Sequence, residues 1–233
     1  MKGKLYLVPN LLGDGPAEDV IPQNVLILIR TLQYFIVEDI RTARRFLSKI
    51  HTNHKIDDIT FYLLNEHTQL TEIAKYLDPI ENFDIGVLSE AGVPGVADPG
   101  SDIVRIAHQR KIEVVPLVGP SSILMAVMAS GLNGQNFAFN GYLPVKHPER
   151  VARIKSLEKK VYSDNQTQLF IETPYRNLQL LEDILSTCRP ETLLGIACNI
   201  TEPDAILRTQ TVAEWKEQVP DIHKKPAIFS IGK

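Results

Sequence analysis

The segment from Ser89 to Ser101, which reads SEAGVPGVADPGS, combines residue types that suit a binding loop. It follows the apolar run Ile85–Leu88, which is typical of a β-strand. In open α/β sheets, ligands bind beyond the carboxyl ends of the strands, and glycines let the backbone approach a ligand closely. Connections of this kind usually have about 2–6 residues. The length of the segment therefore favours a ligand-binding loop over the alternative, an ordinary turn-rich connection.

Two carboxylates follow the apolar run Tyr34–Val37, and either of them could accept a proton in catalysis. Glu38 and Asp39 follow the apolar run Tyr34–Val37, and they precede Arg41 and a basic helix predicted over Thr42–Ile50. A carboxylate beside a hydroxyl can act as a general base, and an arginine can bind phosphate. The alternative is structural, because a carboxylate before a helix is also a good cap. The sequence leaves both interpretations open.

A similar arrangement occurs in the second half of the chain. Glu172 ends the predicted strand Gln168–Glu172, and Pro174 begins a helical segment that carries Arg176. Glu172 is a further candidate for proton chemistry, with Arg176 as a partner that binds phosphate or orients the carboxylate. A structural Glu–Arg pair near a helix start is the alternative.

Two serines begin an apolar helix made mostly of small residues. Ser121 and Ser122 follow Pro120 and lead into a helix predicted up to Ser130. The free N–H groups of a helix start can hold a carboxylate or another anion. A simple helix cap requires the same residues, so the two interpretations have equal support.

The first loop, Pro9–Pro16, lacks the common nucleotide-binding patterns. It matches neither GxGxxG nor GxxxxGK[ST], which counts against nicotinamide dehydrogenases, P-loop ATPases and methyltransferases with the common glycine motif. The histidines have no HExxH spacing and no nucleophile elbow beside them, so metal and triad chemistry are disfavoured. The six are His51, His54, His67, His108, His147 and His223.

The segment Pro144–Lys160 is rich in positive charge. Its cations are opposed only by Glu149 and Glu158. A solvated helix face is the favoured interpretation, although with the Arg41–Lys49 helix it could form a basic rim for a phosphate backbone. The cations are Lys146, Arg150, Arg153, Lys155, Lys159 and Lys160.

Composition sets the general class. The chain has 233 residues, 44% of them hydrophobic, and a formal charge of −3, so any anion binding must come from a local patch. Cys188 and Cys198 lack CxxC spacing, which disfavours a disulfide framework or a zinc site. No apolar run is long enough to span a bilayer, and the start lacks a signal-peptide pattern. These features predict a cytoplasmic protein with no membrane partner.

The order of the predicted elements indicates an α/β fold. Up to Leu117, five short apolar runs alternate with helical segments, which predicts a mostly parallel sheet covered on both faces. Beyond Pro120 the chain carries more strand, and the strands are more closely spaced. We therefore predict two α/β domains, 1–116 and 117–233, with a cleft between them.

Taken together, these segments resemble the tetrapyrrole methylase superfamily of S-adenosylmethionine-dependent methyltransferases. Within it, the sequence is most similar to the bacterial small-subunit rRNA (cytidine-2′-O)-methyltransferase branch. The combination of motifs in this order is more specific than any one of them. The motifs are Leu5–Pro9, Glu38–Arg41, Leu88–Pro94 with Asp98–Gly100, Val114–Pro120, Gly141–Pro144 and Phe170–Arg176.

The resemblance implies two α/β domains with mixed sheets, a methyl donor in the interdomain cleft and a homodimer. It implies methyl transfer to a ribose 2′-hydroxyl of ribosomal RNA, free or in the small subunit. The candidate catalytic residues are Glu38, Asp39 and Glu172, and the candidate substrate-binding residues are Arg41, Lys146 and Arg176. The implied donor-binding residues are Leu12, Glu90, Ala91, Gly92, Gly95, Ser121, Ser122, Glu172, Ile200, Pro226 and Ala227.

Two alternatives remain at this stage. The acceptor could be a small molecule such as a tetrapyrrole ring, which the net charge of −3 slightly favours. The chain could also be a catalytically idle binding module that keeps the fold. Donor binding separates the idle module from the two enzymes, and methylation of ribosomal subunits separates the enzymes from each other.

Overall fold

A computed structural model describes residues 2–65 and 68–233, so Met1, Glu66 and His67 lie outside the described residues. The chain divides into two compact units, Met1–Ser121 and Ser122–Lys233. The strands are β1 Leu5–Val8, β2 Tyr34–Val37, β3 Thr60–Leu63, β4 Ile85–Leu88, β5 Val114–Pro116, β6 Phe137–Tyr142, β7 Thr167–Ile171, β8 Leu193–Cys198, β9 Ile206–Thr211 and β10 Ala227–Gly232. The α-helices are α1 Gln23–Thr31, α2 Ile40–Lys49, α3 Leu70–Lys75, α4 Gly100–Gln109, α5 Ser122–Ser130, α6 His147–Asp164, α7 Asn177–Thr187 and α8 Val212–Glu217.

The first unit is built on a parallel sheet with the strand order β3-β2-β4-β1-β5. Successive side chains of a strand point to opposite faces. In β2, Phe35 and Val37 therefore pack with α1 and α2, whereas Ile36 packs with α3 and α4. Because both faces are covered, β4 is buried along its whole length. All five strands end at one edge of the sheet, and the loops discussed below leave from that edge.

The second unit contains a mixed sheet with the order β6-β7-β10-β8-β9. β6 and β7 are parallel, and the other pairs are antiparallel. The main core lies between this sheet and α6, α7 and α8. Trp215 of α8 is 1% exposed, and its indole N–H donates to the carbonyl of Leu194 at 2.8 Å. This bond satisfies the polar end of a large buried ring.

Two charged residues lie inside the second unit. Arg150 of α6 is 1% exposed and pairs through Nε with the buried carboxylate of Asp183 in α7. A second nitrogen of Arg150, Nη1, donates to the carbonyl of Val145. Glu158 is also buried and accepts hydrogen bonds from the N–H of Arg189 and the hydroxyl of Thr192. A buried charge is tolerated only when it is paired and hydrogen-bonded, and these contacts connect α6 to α7 and to the start of β8.

The α/β class is confirmed, and the differences concern the element bounds. The sequence Thr68–Leu77 predicts a helix capped by Thr68, which is wrong at both ends, because α3 covers only Leu70–Lys75. Thr68 does not cap it; its hydroxyl accepts from the N–H of Asn65 at 3.0 Å. The charged residues near Glu149–Lys160 also predict a helix, and α6 is longer than this, because Pro148 is compatible with a first helical turn. The predicted division at 116/117 coincides with the end of β5, and the compact first unit continues to Ser121.

We expect Asp183→Ala to lower the free energy of unfolding by about 3–5 kcal/mol, because it leaves the buried guanidinium of Arg150 without its counter-ion. Urea denaturation measures this loss. The matched control is Asp57→Ala, which removes an exposed ion pair with Arg44 and should cost less than about 1 kcal/mol. Equal losses in the two variants would contradict a stabilising role for the buried pair.

Candidate functional site

The loops that follow β1 and β4 are joined by the side chain of Asn10. Asn10 is 4% exposed, and its Nδ2 donates to the carbonyls of Ser89 at 3.0 Å and Glu90 at 2.9 Å. Its Oδ1 accepts from the N–H of Leu11 at 2.8 Å, and its own N–H donates to the carbonyl of Gly92. Irregular loops have no sheet partners for these groups, so a buried amide supplies them.

Gly92 lies where three loops of the first unit meet. Its φ of +72° is in the left-handed region that favours glycine. A Cβ atom added to it would lie 3.4 Å from Cδ2 of Leu12 and 3.5 Å from the carbonyl oxygen of Pro120. The loops after β1, β4 and β5 therefore converge at Gly92, and the space beside it is one that a side chain would fill.

Glu38 lies at the end of β2, close to the loop that follows β4. Its Oε1 is 3.4 Å from the N–H of Glu90, which donates to it, and a small hollow is lined by Glu38, Ser89 and Asp98 among others. Burial and the nearby carboxylates of Asp98 and Glu90 raise the pKa of Glu38, and the hydrogen bond from Glu90 N–H opposes the rise. A carboxylate whose pKa is raised toward neutrality is a better general base.

Asp39 has a structural role. It is the N-cap of α2, and its Oδ1 accepts from the N–H of Thr42 at 2.7 Å. This hydrogen bond is the main reason that the pKa of Asp39 lies below its ordinary value. The capping interpretation therefore accounts for Asp39, and Glu38 is the better candidate base of the two. Arg41 follows on the exposed first turn of α2, where its charge also lowers the pKa of Asp39.

In the second unit, Glu172 and Arg176 form a pair at the end of β7. Glu172 is 4% exposed, and its Oε1 accepts from Arg176 Nη2 and from the N–H of Thr173, each at 2.6 Å. Burial raises the pKa of Glu172, but these hydrogen bonds outweigh it, so the pKa lies below its ordinary value. Its other oxygen, Oε2, is buried and has no hydrogen-bond partner among the described residues. Glu172 is thus an ionised acceptor with one position free.

Three residues that the resemblance implies for donor binding, Ile200, Pro226 and Ala227, lie at the edge of the mixed sheet where β7 ends. Glu172 directly follows β7, Ile200 follows β8, and Ala227 begins β10. Ala227 pairs in register with Cys198, the last residue of β8, and the carbonyl of Pro226 accepts from the N–H of Asn199. These backbone contacts place Pro226 and Ala227 beside the end of β8, shortly before Ile200, and the pairing of Ile228 with Ile171 places Ala227 next to the end of β7, which Glu172 follows.

The remaining predicted residues have fewer contacts. Ser121 is the last residue of the first unit, and Ser122 is the first residue of α5. Lys146 precedes α6, and its exposed ammonium is 3.8 Å from Glu149. Ala91 and Gly95 lie in the loop after β4, on either side of Gly92. The roles assigned to these residues in donor or substrate binding stay predictions.

Sequence reasoning did not identify Asn10 or the loop contacts of Asp98. Asn10 belongs to the first loop, Pro9–Pro16, which the sequence shows only to lack the common nucleotide-binding patterns. The available signal was an asparagine two residues after a strand, since its short amide can satisfy nearby backbone groups. Its partners, the carbonyls of Ser89 and Glu90, are about 80 residues away, and local sequence does not indicate them.

The sequence is similar to a known family and to several named methyltransferases. Residues 4–216 match the family described as Tetrapyrrole (Corrin/Porphyrin) Methylases. A protein from Synechocystis sp. named Ribosomal RNA small subunit methyltransferase I is 30% identical over 200 residues, which cover 86% of this chain and 68% of that protein. Proteins of the same name from Vibrio cholerae and Streptococcus pyogenes are 28% and 32% identical, covering 90% and 79% of this chain. The chain matches 69% and 60% of their respective lengths.

Solved structures agree with this fold. The methyltransferase CobJ has a TM-score of 0.65 at 16% identity, and the alignment covers 99% of this chain and 94% of that chain. The cobalt precorrin-4 methyltransferase CbiF has a TM-score of 0.60 at 15% identity, covering 98% and 94%. At this level of identity, the comparisons support the fold alone.

S-adenosylmethionine is the methyl donor of the matched family, and two features of this chain fit it. The space beside Gly92 is bordered by backbone and by an apolar side chain, which suits a nucleoside held mainly through main-chain groups. Glu172 provides a buried carboxylate oxygen without a partner among the described residues, which suits a donor group of a ligand such as a hydroxyl or an ammonium.

We expect Gly92→Leu to abolish binding of S-adenosylmethionine, because its side chain would fill the space between Leu12 and Pro120. Isothermal titration calorimetry on the purified variant should show no binding heat. Circular dichroism establishes that the variant is folded, since a non-glycine residue at positive φ costs about 1–2 kcal/mol. The control is Gly134→Ala, at a glycine without positive φ and with room for a Cβ. Unchanged affinity in folded Gly92→Leu would remove Gly92 from the donor site.

Proposed function

Because the chain belongs to the tetrapyrrole (corrin/porphyrin) methylase family, it is an S-adenosylmethionine-dependent methyltransferase, and we propose that its acceptor is a ribose 2′-hydroxyl of small-subunit ribosomal RNA. The observation that carries the choice of acceptor is the similarity to proteins named Ribosomal RNA small subunit methyltransferase I over most of this chain. The 2′-hydroxyl is the position that the resemblance to the rRNA (cytidine-2′-O)-methyltransferase branch implies.

The proposed mechanism assigns different tasks to the carboxylates. When bound, the donor supplies a methyl group on a sulfonium, so the reaction needs a positioned nucleophile. A 2′-hydroxyl is a poor nucleophile at neutral pH, and Glu38 is the candidate that takes its proton, because the raised pKa strengthens Glu38 as a base. Glu172 stays ionised beside Arg176 and offers Oε2 as a hydrogen-bond acceptor to a bound ligand. Asp39 holds the start of α2.

The outer surface of α6 supports an RNA acceptor. Lys155, Lys159 and Lys160 are exposed, and within the described part of the chain no ion pair involves any of them. Glu158 lies between these lysines in the sequence. It is buried, and it accepts hydrogen bonds from the N–H of Arg189 and the hydroxyl of Thr192. With Glu158 buried, the segment from Lys155 to Lys160 presents three lysines and no exposed carboxylate, and exposed lysines of this kind bind phosphate backbones. Two further exposed cations are Lys146, directly before α6, and Arg41, on the first turn of α2 in the first unit.

The second candidate acceptor is a small molecule such as a tetrapyrrole. The description of the matched family, which names corrin and porphyrin methylases, supports it. The idle binding module has no specific observation in its favour. The cleft, the homodimer and the cytoplasmic location also stay predictions. Among the described residues, no helix combines the length and the apolar character needed to cross a bilayer.

We expect the purified chain to transfer labelled methyl groups from S-adenosylmethionine to small ribosomal subunits isolated from cells that lack this chain. Mass spectrometry should locate the methyl group on a ribose. Glu38→Gln should lower kcat by about 10²–10⁴-fold and leave the affinity for the donor unchanged, since its amide oxygen can still accept from Glu90 N–H.

The control for this variant is Glu81→Gln, which changes an exposed carboxylate paired with Lys2 and should leave kcat unchanged. Transfer to a tetrapyrrole and not to RNA would favour the second candidate. Donor binding without transfer to either acceptor would favour the idle module. Full activity in Glu38→Gln would remove Glu38 as the base.

We expect the triple variant Lys155→Gln, Lys159→Gln and Lys160→Gln to bind the RNA substrate more weakly and with a smaller salt dependence. Each phosphate contact contributes about 0.7–0.9 to the slope of log K against log salt concentration, so the slope should fall by roughly 2–3. A charge-matched control removes three exposed lysines from scattered positions, Lys75, Lys111 and Lys216. An equal fall in both triple variants would show a general charge effect and exclude a specific role for α6.

A further inference from the structure

We propose that Asp98 is a positioning residue of this methyltransferase, which holds the loop after β4 in its binding conformation with one carboxylate oxygen and places a negative charge beside Glu38. The inference rests on the proposed function, because it concerns the same loop and the same candidate base. Asp98 belongs to one of the motifs that carry the resemblance.

One oxygen of Asp98 closes the loop. Its Oδ1 accepts from the N–H of Gly95 at 2.7 Å and from the N–H of Gly100 at 2.8 Å. Gly95 lies three residues before Asp98, and Gly100 is the first residue of α4. The carboxylate therefore fixes the distance between the glycine-containing part of the loop and the helix that follows it.

The loop needs this support because its backbone is not relaxed. Gly95 has a φ of +82°, and Ala97 has a φ of +63°. A residue with a Cβ is disfavoured in the left-handed region, and such conformations persist only when their surroundings hold them. Asp98 directly follows Ala97, and the hydrogen bond from Gly95 to its side chain spans Ala97. We infer that without Asp98 the loop relaxes and that the backbone beside Gly92 loses the geometry required for donor binding.

The charge of Asp98 acts on Glu38. Both carboxylates line the same small hollow at the ends of β2 and β4. The charged groups that influence Glu38 from the loop after β4 are Asp98 and Glu90, and Asp39 and Arg41 follow it on its own segment. Among the neighbouring charges, Asp98 contributes most to raising the pKa of Glu38. Removal of this charge should lower that pKa.

Two substitutions separate the two effects. Asp98→Asn keeps an Oδ1 acceptor for the N–H groups of Gly95 and Gly100 but removes the charge, whereas Asp98→Ala removes both. We expect Asp98→Asn to bind S-adenosylmethionine within about twofold of the unsubstituted chain. Activity falls at low pH as Glu38 becomes protonated, so the acidic limb of its pH–rate profile should move to lower pH. Asp98→Ala should weaken donor binding at least tenfold.

Hydrogen exchange provides a readout that needs no donor. The amides of Gly95 and Gly100 should exchange much faster in Asp98→Ala than in Asp98→Asn or the unsubstituted chain. This measurement tests the loop contacts even if the chain binds no S-adenosylmethionine, so failure of the proposed function and failure of this inference are distinguishable. The control is Asp102→Ala, a partly exposed position in α4 whose carboxylate pairs with Arg105; it should change none of the readouts.

Three results would overturn the inference. The first is donor affinity in Asp98→Ala equal to that of the unsubstituted chain. The second is an equal loss of affinity in Asp98→Asn and Asp98→Ala, which would assign the effect to charge and not to loop geometry. The third is an acidic limb that does not move in Asp98→Asn, which would exclude the influence on Glu38. Should Asp98→Ala fail to fold, the Asp98→Asn profile and its exchange rates still decide the outcome.

Discussion

The hydrogen bonds from Asn10 to the loop after β4 are the interaction on which the candidate site depends. A loop at the end of a parallel sheet has backbone groups without sheet partners, and buried groups of this kind must be satisfied. The side chain of Asn10 donates to the carbonyls of Ser89 and Glu90, and the carboxylate of Asp98 accepts from two N–H groups of the connection between β4 and α4. Two polar side chains thus fix a loop that has no regular structure of its own, and Gly92 lies at its centre.

The three candidate carboxylates have different environments and therefore different chemistry. Asp39 accepts from a helix N–H, and its pKa is lowered. Glu172 is paired with Arg176, which favours its ionised form, and its Oε2 has no hydrogen-bond partner among the described residues. Glu38 lies near Asp98 and accepts one long hydrogen bond from the described part of the chain, and its pKa is raised. The three residues have nearly identical chemistry, and their environments make Asp39 a helix cap, Glu172 a hydrogen-bond acceptor and Glu38 the candidate base.

Charge on α6 shows the same principle at the surface. By sequence, the helix alternates cations with Glu149 and Glu158, which is typical of a solvated face. Burial of Glu158 against Thr192 removes one acidic group from that face, and burial of Arg150 against Asp183 removes one cation for a structural purpose. The charge of the surface available to a polyanion therefore depends on which charged side chains of α6 are buried.

The sequence by itself determined the α/β class, the order of the strands and helices, and the loops that form the candidate site, because hydrophobic periodicity, glycines and prolines are local signals. It also determined the resemblance through motifs in a fixed order. Only the tertiary structure decided that Asp39 is a cap, that Asn10 joins two loops, and that Glu158 is buried. The cap at Asp39 is a local contact with Thr42 that the sequence left open beside a catalytic role. The roles of Asn10 and Glu158 depend on contacts between residues far apart in the chain, such as Asn10 and Ser89. Hydrogen bonding and burial at such contacts set the role of a polar side chain, and local sequence does not record them.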